Sequence, residues 1–384
     1  MERAKIQQVF DNSWKLFSSC HSVPLDHLKA ARSIMSCKTE DMGYNISTCE
    51  ECGHSETHYN SCRNRNCPNC QAILKEIWID KRKAEVIDSR YYHVVFTVPE
   101  ELNALIYANQ KVLYSLMHKA SSETLLELAR DRKYLGATPG IIQVLHTWGQ
   151  ELNYHPHIHC IVSAGGLTPD HRLRTSSDKF FIPVRVMRNV FKGKFLFYLK
   201  KLYDSDELIF PGAIGYLSNP GDWHYLLDLL YSIDWCPYIK ETFNGFGNAI
   251  EYLGRYTHRI AITNTRVQSV TADKVSFLAR DYKTGTSHVT TIDNTEFIRR
   301  LLMHVLPRGF QKIRYYGFLN NRFRYRNLEL IFKLQGFQRF RSMYTGMSAE
   351  EILLAAWGFK TNVCRNCGCT DCMRITSRKY PRRC

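Results

Sequence analysis

The chain has 384 residues, 44% of them apolar, which is enough for two or three domains with substantial cores. Its 52 Lys and Arg against 36 Asp and Glu give a formal net charge of +16, an excess that favours a polyanionic partner, nucleic acid before membrane. No apolar run reaches bilayer length and no apolar signal region opens the sequence, so a cytosolic location is expected, where 14 cysteines imply metal binding rather than disulfides.

Residues 1–45 read as a mixed helical segment and 46–72 as a cysteine-rich loop. A charged helix is predicted from about Ile73 to Asp88. The β-branched and aromatic run Tyr91–Val98 reads as a strand that stops at Pro99. Helical segments continue to about Lys133 and are broken by Ala137-Thr138-Pro139-Gly140. Ile141–Trp148 and His157–Ala164 read as two further strands, the latter ended by Gly165-Gly166. Helices are predicted over 187–203, 222–233 and Asn248–His258, and short strands near 260–264, 274–279 and 287–292. An amphipathic helix Glu296–Val305 stops before Pro307; residues 308–343 are basic and aromatic, and 364–384 combine cysteines with a basic tail.

Cys49-Glu50-Glu51-Cys52 and Cys67-Pro68-Asn69-Cys70 are Cys-x2-Cys knuckles separated by 14 residues. Such a pair supplies four soft ligands for a tetrahedral structural zinc with little surrounding core, so Cys49, Cys52, Cys67 and Cys70 are expected to share one ion. Cys62, His54 and His58 lie in the same loop and could replace a ligand. Cys364, Cys367, Cys369 and Cys372 offer a possible second zinc, with Cys384 able to join.

Alternation along a strand places His157 and His159 on one face. If the preceding strand pairs antiparallel with theirs about a loop centred near residue 152, His146 falls opposite them and completes a cation site; Gln150 and His155 are rivals for the third ligand. Tyr252 and Tyr256 lie four apart on a predicted helix. An aromatic pair at that spacing is more often core than catalyst, but Arg255, His258 and Arg259 surround this one with polar and cationic groups. A phenol of pKa near 10 needs such neighbours, or a metal, to attack a phosphate. Arg314-Tyr315-Tyr316-Gly317-Phe318 and Arg322-Phe323-Arg324-Tyr325-Arg326 alternate cation and ring, as a clamp on single-stranded nucleic acid does and as a half-buried strand also does. No Gly-rich phosphate loop with a Walker lysine is present, which argues against a built-in ATPase.

These residues resemble the bacterial rolling-circle transposases of the insertion-sequence-91 group, which carry an HUH nuclease domain with two tyrosines. The resemblance runs through Cys49–His54 and Tyr59–Gln71, His93–Pro99, His146–Gln150 with His155–His159, and Tyr252–Tyr256, and extends to Phe297–Arg300 and Ile313–Gly317. Asn66 departs from the pattern, standing where His is expected, and the C-terminal cysteine cluster is richer than the group's usual tail. The resemblance implies an α+β fold with a central, mostly antiparallel HUH-type sheet, flanked by helices, an N-terminal zinc-binding unit and a basic, Cys-containing C-terminal region. The expected domains are 1–45, 46–72, a catalytic domain over 73–265, a basic and aromatic extension over 266–343, and 344–384. It also implies that His157 and His159 hold Mg²⁺ or Mn²⁺, with His146 as the third ligand argued above, and that Tyr252 and Tyr256 attack single-stranded DNA. Arg255, Arg259, Arg314, Arg322 and Arg324 are the expected DNA contacts, and the expected setting is a bacterial cytoplasm beside the nucleoid. A plasmid replication initiator or relaxase would use the same chemistry, and a zinc-dependent DNA-binding protein without catalysis is the alternative from another class.

Overall fold

A computed structural model describes residues 5–176, 182–235, 238–242, 261–281, 284–336 and 341–381. The helices are α1 (Lys5–Cys20), α2 (Leu25–Ser36), α3 (Ala72–Lys83), α4 (Asn103–Ala108), α5 (Gln110–Arg130), α6 (Val184–Asp204), α7 (Pro220–Ser232), α8 (Asn294–Met303), α9 (Arg324–Gln335) and α10 (Ala349–Trp357). The strands are β1 (Tyr44–Cys49), β2 (Ser55–Tyr59), β3 (Tyr91–Thr97), β4 (Thr138–Trp148), β5 (Tyr154–Leu167), β6 (Leu173–Thr175), β7 (Tyr238–Thr242), β8 (Val267–Val270), β9 (Lys274–Arg280), β10 (Ser287–Asp293), β11 (Ile313–Gly317) and β12 (Met373–Lys379).

The central sheet has the order β11-β4-β5-β3-β7, with β6 added to β5, and every pairing in it is antiparallel. This is the expected α+β class, with the histidine-bearing strand β5 in the middle of the sheet. Alternation divides β5 between two cores. Ile158, Cys160 and Val162 pack toward Leu113, Tyr114 and Met117 of α5 and Phe191 and Phe195 of α6. Fully buried rings such as Phe96, Phe191 and Phe195 each contribute about 1.5–3 kcal/mol of apolar burial. Ile161 faces the other way, with Ile142 and Val144, toward Ile79 of α3 and Leu328, Ile331 and Phe332 of α9.

The N-terminal helices do not stand apart. Ile6, Val9 and Phe10 of α1 and Ala30 and Ile34 of α2 share a core with Val275 and Phe277 of β9 and Phe297, Ile298, Leu301 and Leu302 of α8. The buried stripe of α8 is the amphipathic face expected for that segment. Around it β8, β9 and β10 form an antiparallel three-stranded sheet. The strand expected near 260–264 is not present among the described residues; Asn264–Arg266 form a single 3₁₀ turn and the strand begins at Val267.

A third sheet, β12-β1-β2, joins segments more than 300 positions apart: Tyr44 pairs with Lys379 and Cys49 with Met373. The cysteine-rich stretch read as loop therefore contains a hairpin, β1–β2, and the basic tail is partly a strand. No helix among the described residues is long and apolar enough to cross a membrane.

Candidate metal centre and its surroundings

His157 and His159 lie on one face of β5, and β4 sets His146 directly opposite His157 in an antiparallel pair. Ligand-capable atoms of the three imidazoles lie within 4.8 Å of one another. One hydrogen bond fixes the tautomer of His157 and another bears on that of His159. His157 Nδ1 lies 2.7 Å from the carbonyl of His155; a carbonyl only accepts, so Nδ1 carries the proton and Nε2 presents a lone pair. His159 Nδ1 lies 2.8 Å from His93 Nε2, so with the proton on His159 Nδ1 its Nε2 is also a bare lone pair.

Those two Nε2 atoms are 3.1 Å apart. Ligands held about 2.1 Å from one ion at right angles stand about 3 Å apart, so the pair fits a shared cation. Burial first, and the neighbouring His155 ring second, push the His157 imidazole down to about 3, which keeps it neutral and able to ligate. Among the described residues no carboxylate belongs to this group.

His93 was not singled out as a site residue from sequence. It sits on β3, which pairs with β5 so that Val95 faces His159 and Thr97 faces His157. Its ring stacks on that of His159, with centroids 5.0 Å apart and planes within 8°. The available signal was parity: His93, Val95 and Thr97 alternate onto the same side as His157 and His159. On the far side of the triad Trp148 stacks on His146 at 4.4 Å. Trp148 also lines a cavity of about 340 Å³ with Arg65, Asn66 and Gln71 from the cysteine-rich segment and with His304 and Lys312. Burial pushes the Lys312 ammonium, 4.8 Å from the Trp148 ring, down to about 7, with the Arg65 charge adding to the effect.

The thiols form two groups of four, and they divide the knuckles differently from the expectation. Cys67 and Cys70 meet Cys62 and Cys37; Cys49 and Cys52 meet Cys364 and Cys367. Cys49, Cys52, Cys67 and Cys70 thus do not converge on one point, because β1 and β2 carry the first knuckle toward the C-terminal segment. Cys37, just past α2, went unnoticed in sequence, standing alone in a stretch read as helical. The backbone amides of Asn64 and Asn69 each reach the sulfur two residues before them, Cys62 and Cys67, at 3.4 Å, which supports thiolate there. Neighbouring thiols, Cys37 foremost, hold Cys70 far below the ordinary thiol range. This group belongs to the same core as Leu152 and Trp148, so the cysteine-rich unit abuts the end of the sheet that carries the histidines. Cys369 and Cys372 are outside both groups of four. His54 and His58 lie beside Glu56 rather than with the thiols.

The arginines expected on DNA separate by environment. Arg324 is committed to the interior: it pairs with buried Glu85 at 3.1 Å and covers the Tyr315 ring at 4.6 Å. Arg314 is half-buried, donating to Ser115 Oγ and lying 5.2 Å from the Phe310 ring. Arg322 is exposed, and with Arg326 it flanks the Phe323 ring at 5.1 and 5.3 Å, a cation–aromatic surface next to exposed Tyr325. Tyr252, Tyr256, Arg255 and Arg259 lie outside the described residues.

An antiparallel sheet carrying an imidazole triad, beside cysteine units suited to zinc, defines a metal-binding α+β protein. Two family models match the chain: one described as "Putative transposase" over residues 140–327 and one described as "Transposase zinc-binding domain" over residues 9–98. "Putative transposase y4qJ" of Sinorhizobium fredii is 39% identical over 327 residues, 84% of this chain and 82% of the relative. The transposase for insertion sequence element IS801 of Pseudomonas savastanoi pv. phaseolicola is 29% identical over 77% of this chain and 70% of its own length. The chain belongs to the insertion-sequence-91 family of transposases. A solved metal-bound conjugative relaxase, TrwC in complex with oriT DNA, aligns with 43% of this chain and 70% of its own at 13% identity and a TM-score of 0.23, too distant to carry an argument.

Proposed function

We propose that this transposase cleaves and rejoins single-stranded DNA through 5′-phosphotyrosine intermediates, with Tyr252 and Tyr256 as nucleophiles and His146, His157 and His159 as the ligands of Mg²⁺ or Mn²⁺. The observation that carries the reading is the pair of imidazole Nε2 atoms 3.1 Å apart on the central strand of the sheet. When bound, the divalent ion supplies Lewis-acid polarisation of the scissile phosphate. The chain's own residues do the rest. His93 and the His155 carbonyl hold the two imidazoles in the ligating tautomer. The phenolic oxygen of one tyrosine gives up its proton and forms a bond to phosphorus; the bond from phosphorus to the 3′-oxygen of the preceding nucleotide breaks, and that oxygen takes up a proton as a free 3′-hydroxyl, so one proton is released and one is taken up. Joining reverses the step, a 3′-hydroxyl displacing the phenol, so the phosphodiester energy is conserved and no nucleotide triphosphate is needed. Two phenols four residues apart in the sequence allow one strand to remain attached while a second is taken, as a rolling-circle-like route requires.

The exposed Arg322, Phe323 and Arg326 surface supports contact with a single strand by stacking and phosphate pairing. It follows β11, whose Gly317 pairs with Gly140, while His146 is six residues further along β4. At about 3.3 Å per residue, the Gly317–Gly140 pair from which the chain runs on to this surface is about 20 Å along the sheet from His146. The setting of this chemistry would be the bacterial cytoplasm at the nucleoid.

The test is incubation of the purified chain with end-labelled single strands containing an element terminus, with Mn²⁺ present. A protein–DNA adduct that survives SDS, disappears in the Tyr252→Phe/Tyr256→Phe double variant and disappears in His157→Ala is the expected result. Tight binding with no adduct on terminus-containing strands would instead mark a non-catalytic DNA-binding protein.

A further inference from the structure

We infer that Cys49, Cys52, Cys364 and Cys367 bind a single zinc ion shared between the two ends of the chain, a second structural site separate from the one at Cys37, Cys62, Cys67 and Cys70. This does not depend on the nuclease reading.

The two contributing segments have the same sequence form, Cys-x2-Cys-Gly: Cys49-Glu50-Glu51-Cys52-Gly53 and Cys364-Arg365-Asn366-Cys367-Gly368. They also share one backbone form. Gly53, at φ 70°, donates its amide to the Cys49 carbonyl at 3.0 Å, and Gly368, at φ 73°, donates to the Cys364 carbonyl at 2.9 Å. The amide of Cys49 donates to the His54 carbonyl at 2.8 Å, and that of Cys364 to the Cys369 carbonyl at 2.9 Å. Each positive φ is a conformation that glycine adopts without strain. Two copies of one turn, facing each other, present four thiols inward.

The spacing between them is that of a tetrahedral ion. Zinc–sulfur bonds of about 2.3 Å in a tetrahedron put neighbouring sulfurs about 3.8 Å apart. Across the two knuckles, Cys49 Sγ lies 3.7 Å from Cys367 Sγ and Cys52 Sγ lies 3.6 Å from Cys364 Sγ. Cys372 lies close by but plays another part: its single thiol proton goes to the Cys369 carbonyl at 3.1 Å, and its sulfur accepts from Cys49 Sγ at 3.4 Å while Cys49 is protonated. The Asn366 side-chain amide donates to Cys52 Sγ at 3.6 Å, which favours thiolate there.

An independent observation is what this part of the molecule lacks. The buried cluster beneath the β12-β1-β2 sheet consists of Cys49, Cys364 and Cys372, with Cys369 and Met373 packed against it. β12 is exposed along nearly its whole length. Three short strands with so little apolar burial need another source of cohesion, and a structural metal supplies it. The ion would thereby fasten the C-terminal segment 364–379 to the N-terminal hairpin.

The experiment measures zinc per chain in the purified full-length protein by elemental mass spectrometry. Two ions are expected. Cys364→Ser/Cys367→Ser and Cys49→Ser/Cys52→Ser should each retain one, Cys62→Ser/Cys70→Ser should retain one, and Cys369→Ser/Cys372→Ser should retain two. Loss of an ion in Cys369→Ser/Cys372→Ser with none lost in Cys49→Ser/Cys52→Ser would overturn the proposal in favour of a site made of C-terminal cysteines alone; a wild-type chain holding one ion would also overturn it. A second measurement needs no variant: the unmodified protein is alkylated under native conditions. Cys52 and Cys367 are exposed, so unmetallated they react at once. Protection of Cys49, Cys52, Cys364 and Cys367 as a set, released together by a chelator, supports the shared ion, and prompt alkylation of Cys52 or Cys367 in the metal-loaded chain refutes it.

Discussion

Replacing His93 with Phe should weaken divalent-ion binding at the triad without unfolding the sheet. His93 is buried at 3% exposure, and its ring lies parallel to that of His159. Phe preserves the stack and most of the volume. What it removes is the Nε2 atom 2.8 Å from His159 Nδ1. Losing that hydrogen bond in a buried site costs about 1–3 kcal/mol and frees the ring to shift its proton to Nε2, the atom that should ligate. Losing the hydrogen-bond partner of a metal-ligating histidine typically costs about 10- to 100-fold in affinity, or about 1.4–2.7 kcal/mol. The assay is Mn²⁺ titration followed by the EPR signal of the free ion, with thermal melts run in parallel. The expected order of affinity is wild type, then His93→Gln, whose amide oxygen can still accept, then His93→Phe, with His157→Ala weakest. If His93→Phe binds Mn²⁺ as tightly as wild type while His157→Ala does not, the role given to His93 is wrong.

Other outcomes follow from buried groups away from the triad. His304 and His118 are held neutral by burial, their imidazoles pushed down to about 4 and about 3. The unfolded chain then binds more protons than the folded one below about pH 6.5, so stability should fall as pH drops from 6.5 toward 4, by at most about 1.4 kcal/mol per pH unit for each group. Urea midpoints at pH 7 and pH 5 measure this, and an unaltered slope in His304→Leu would count against it. Asp80, 4% exposed, accepts from Ser342 Oγ and from the amides of Met343 and Tyr344. Asp80→Ala should cost about 2–4 kcal/mol and loosen residues 342–344, seen as a lower melting temperature and faster amide exchange there. Arg324→Ala should destabilise the fold by about 1.5–3 kcal/mol, the loss of one hydrogen bond to the buried Glu85 carboxylate, which keeps Arg82 at 2.9 Å. Arg322→Ala and Arg326→Ala should instead leave melting unchanged, weaken single-strand binding and each lower the salt slope by about 0.7, measured by fluorescence anisotropy.

The central sheet could be read from residues that obey local rules. β3 is a β-branched and aromatic run ended by Pro99, and the His146–His157 pairing follows from counting back from a turn near residue 152. Alternation then puts three imidazoles together. What the sequence hid depended on distant partners. Which thiols group together is decided by the pairing of β1 with β12, more than 300 positions away, so two adjacent knuckles read as one site. Cys37 had no local companion. Arg324 looked like a surface cation because its alternation with aromatics is compatible with a clamp; Glu85, 239 positions away, is what draws it inward. His93 was visible by parity but needed the neighbouring strand's register to acquire a role.

The turn between β4 and β5 is tied down at both ends. Gly149 donates to the Asn153 carbonyl, and Leu152 adopts a left-handed φ of 61° with its side chain fully buried in the core of the cysteine-rich unit. Its carbonyl accepts from His304 Nε2. Most surface loops tolerate gain or loss of residues over evolutionary time. This one acts as the zero mark of a ruler: adding or deleting one residue, unless the irregularity between His146 and Trp148 absorbed it, would slip the pairing, turn His146 to the opposite face and take it away from His157 and His159. Substitutions there can be absorbed so long as an apolar anchor remains, whereas its length is under the same constraint as the ligands themselves.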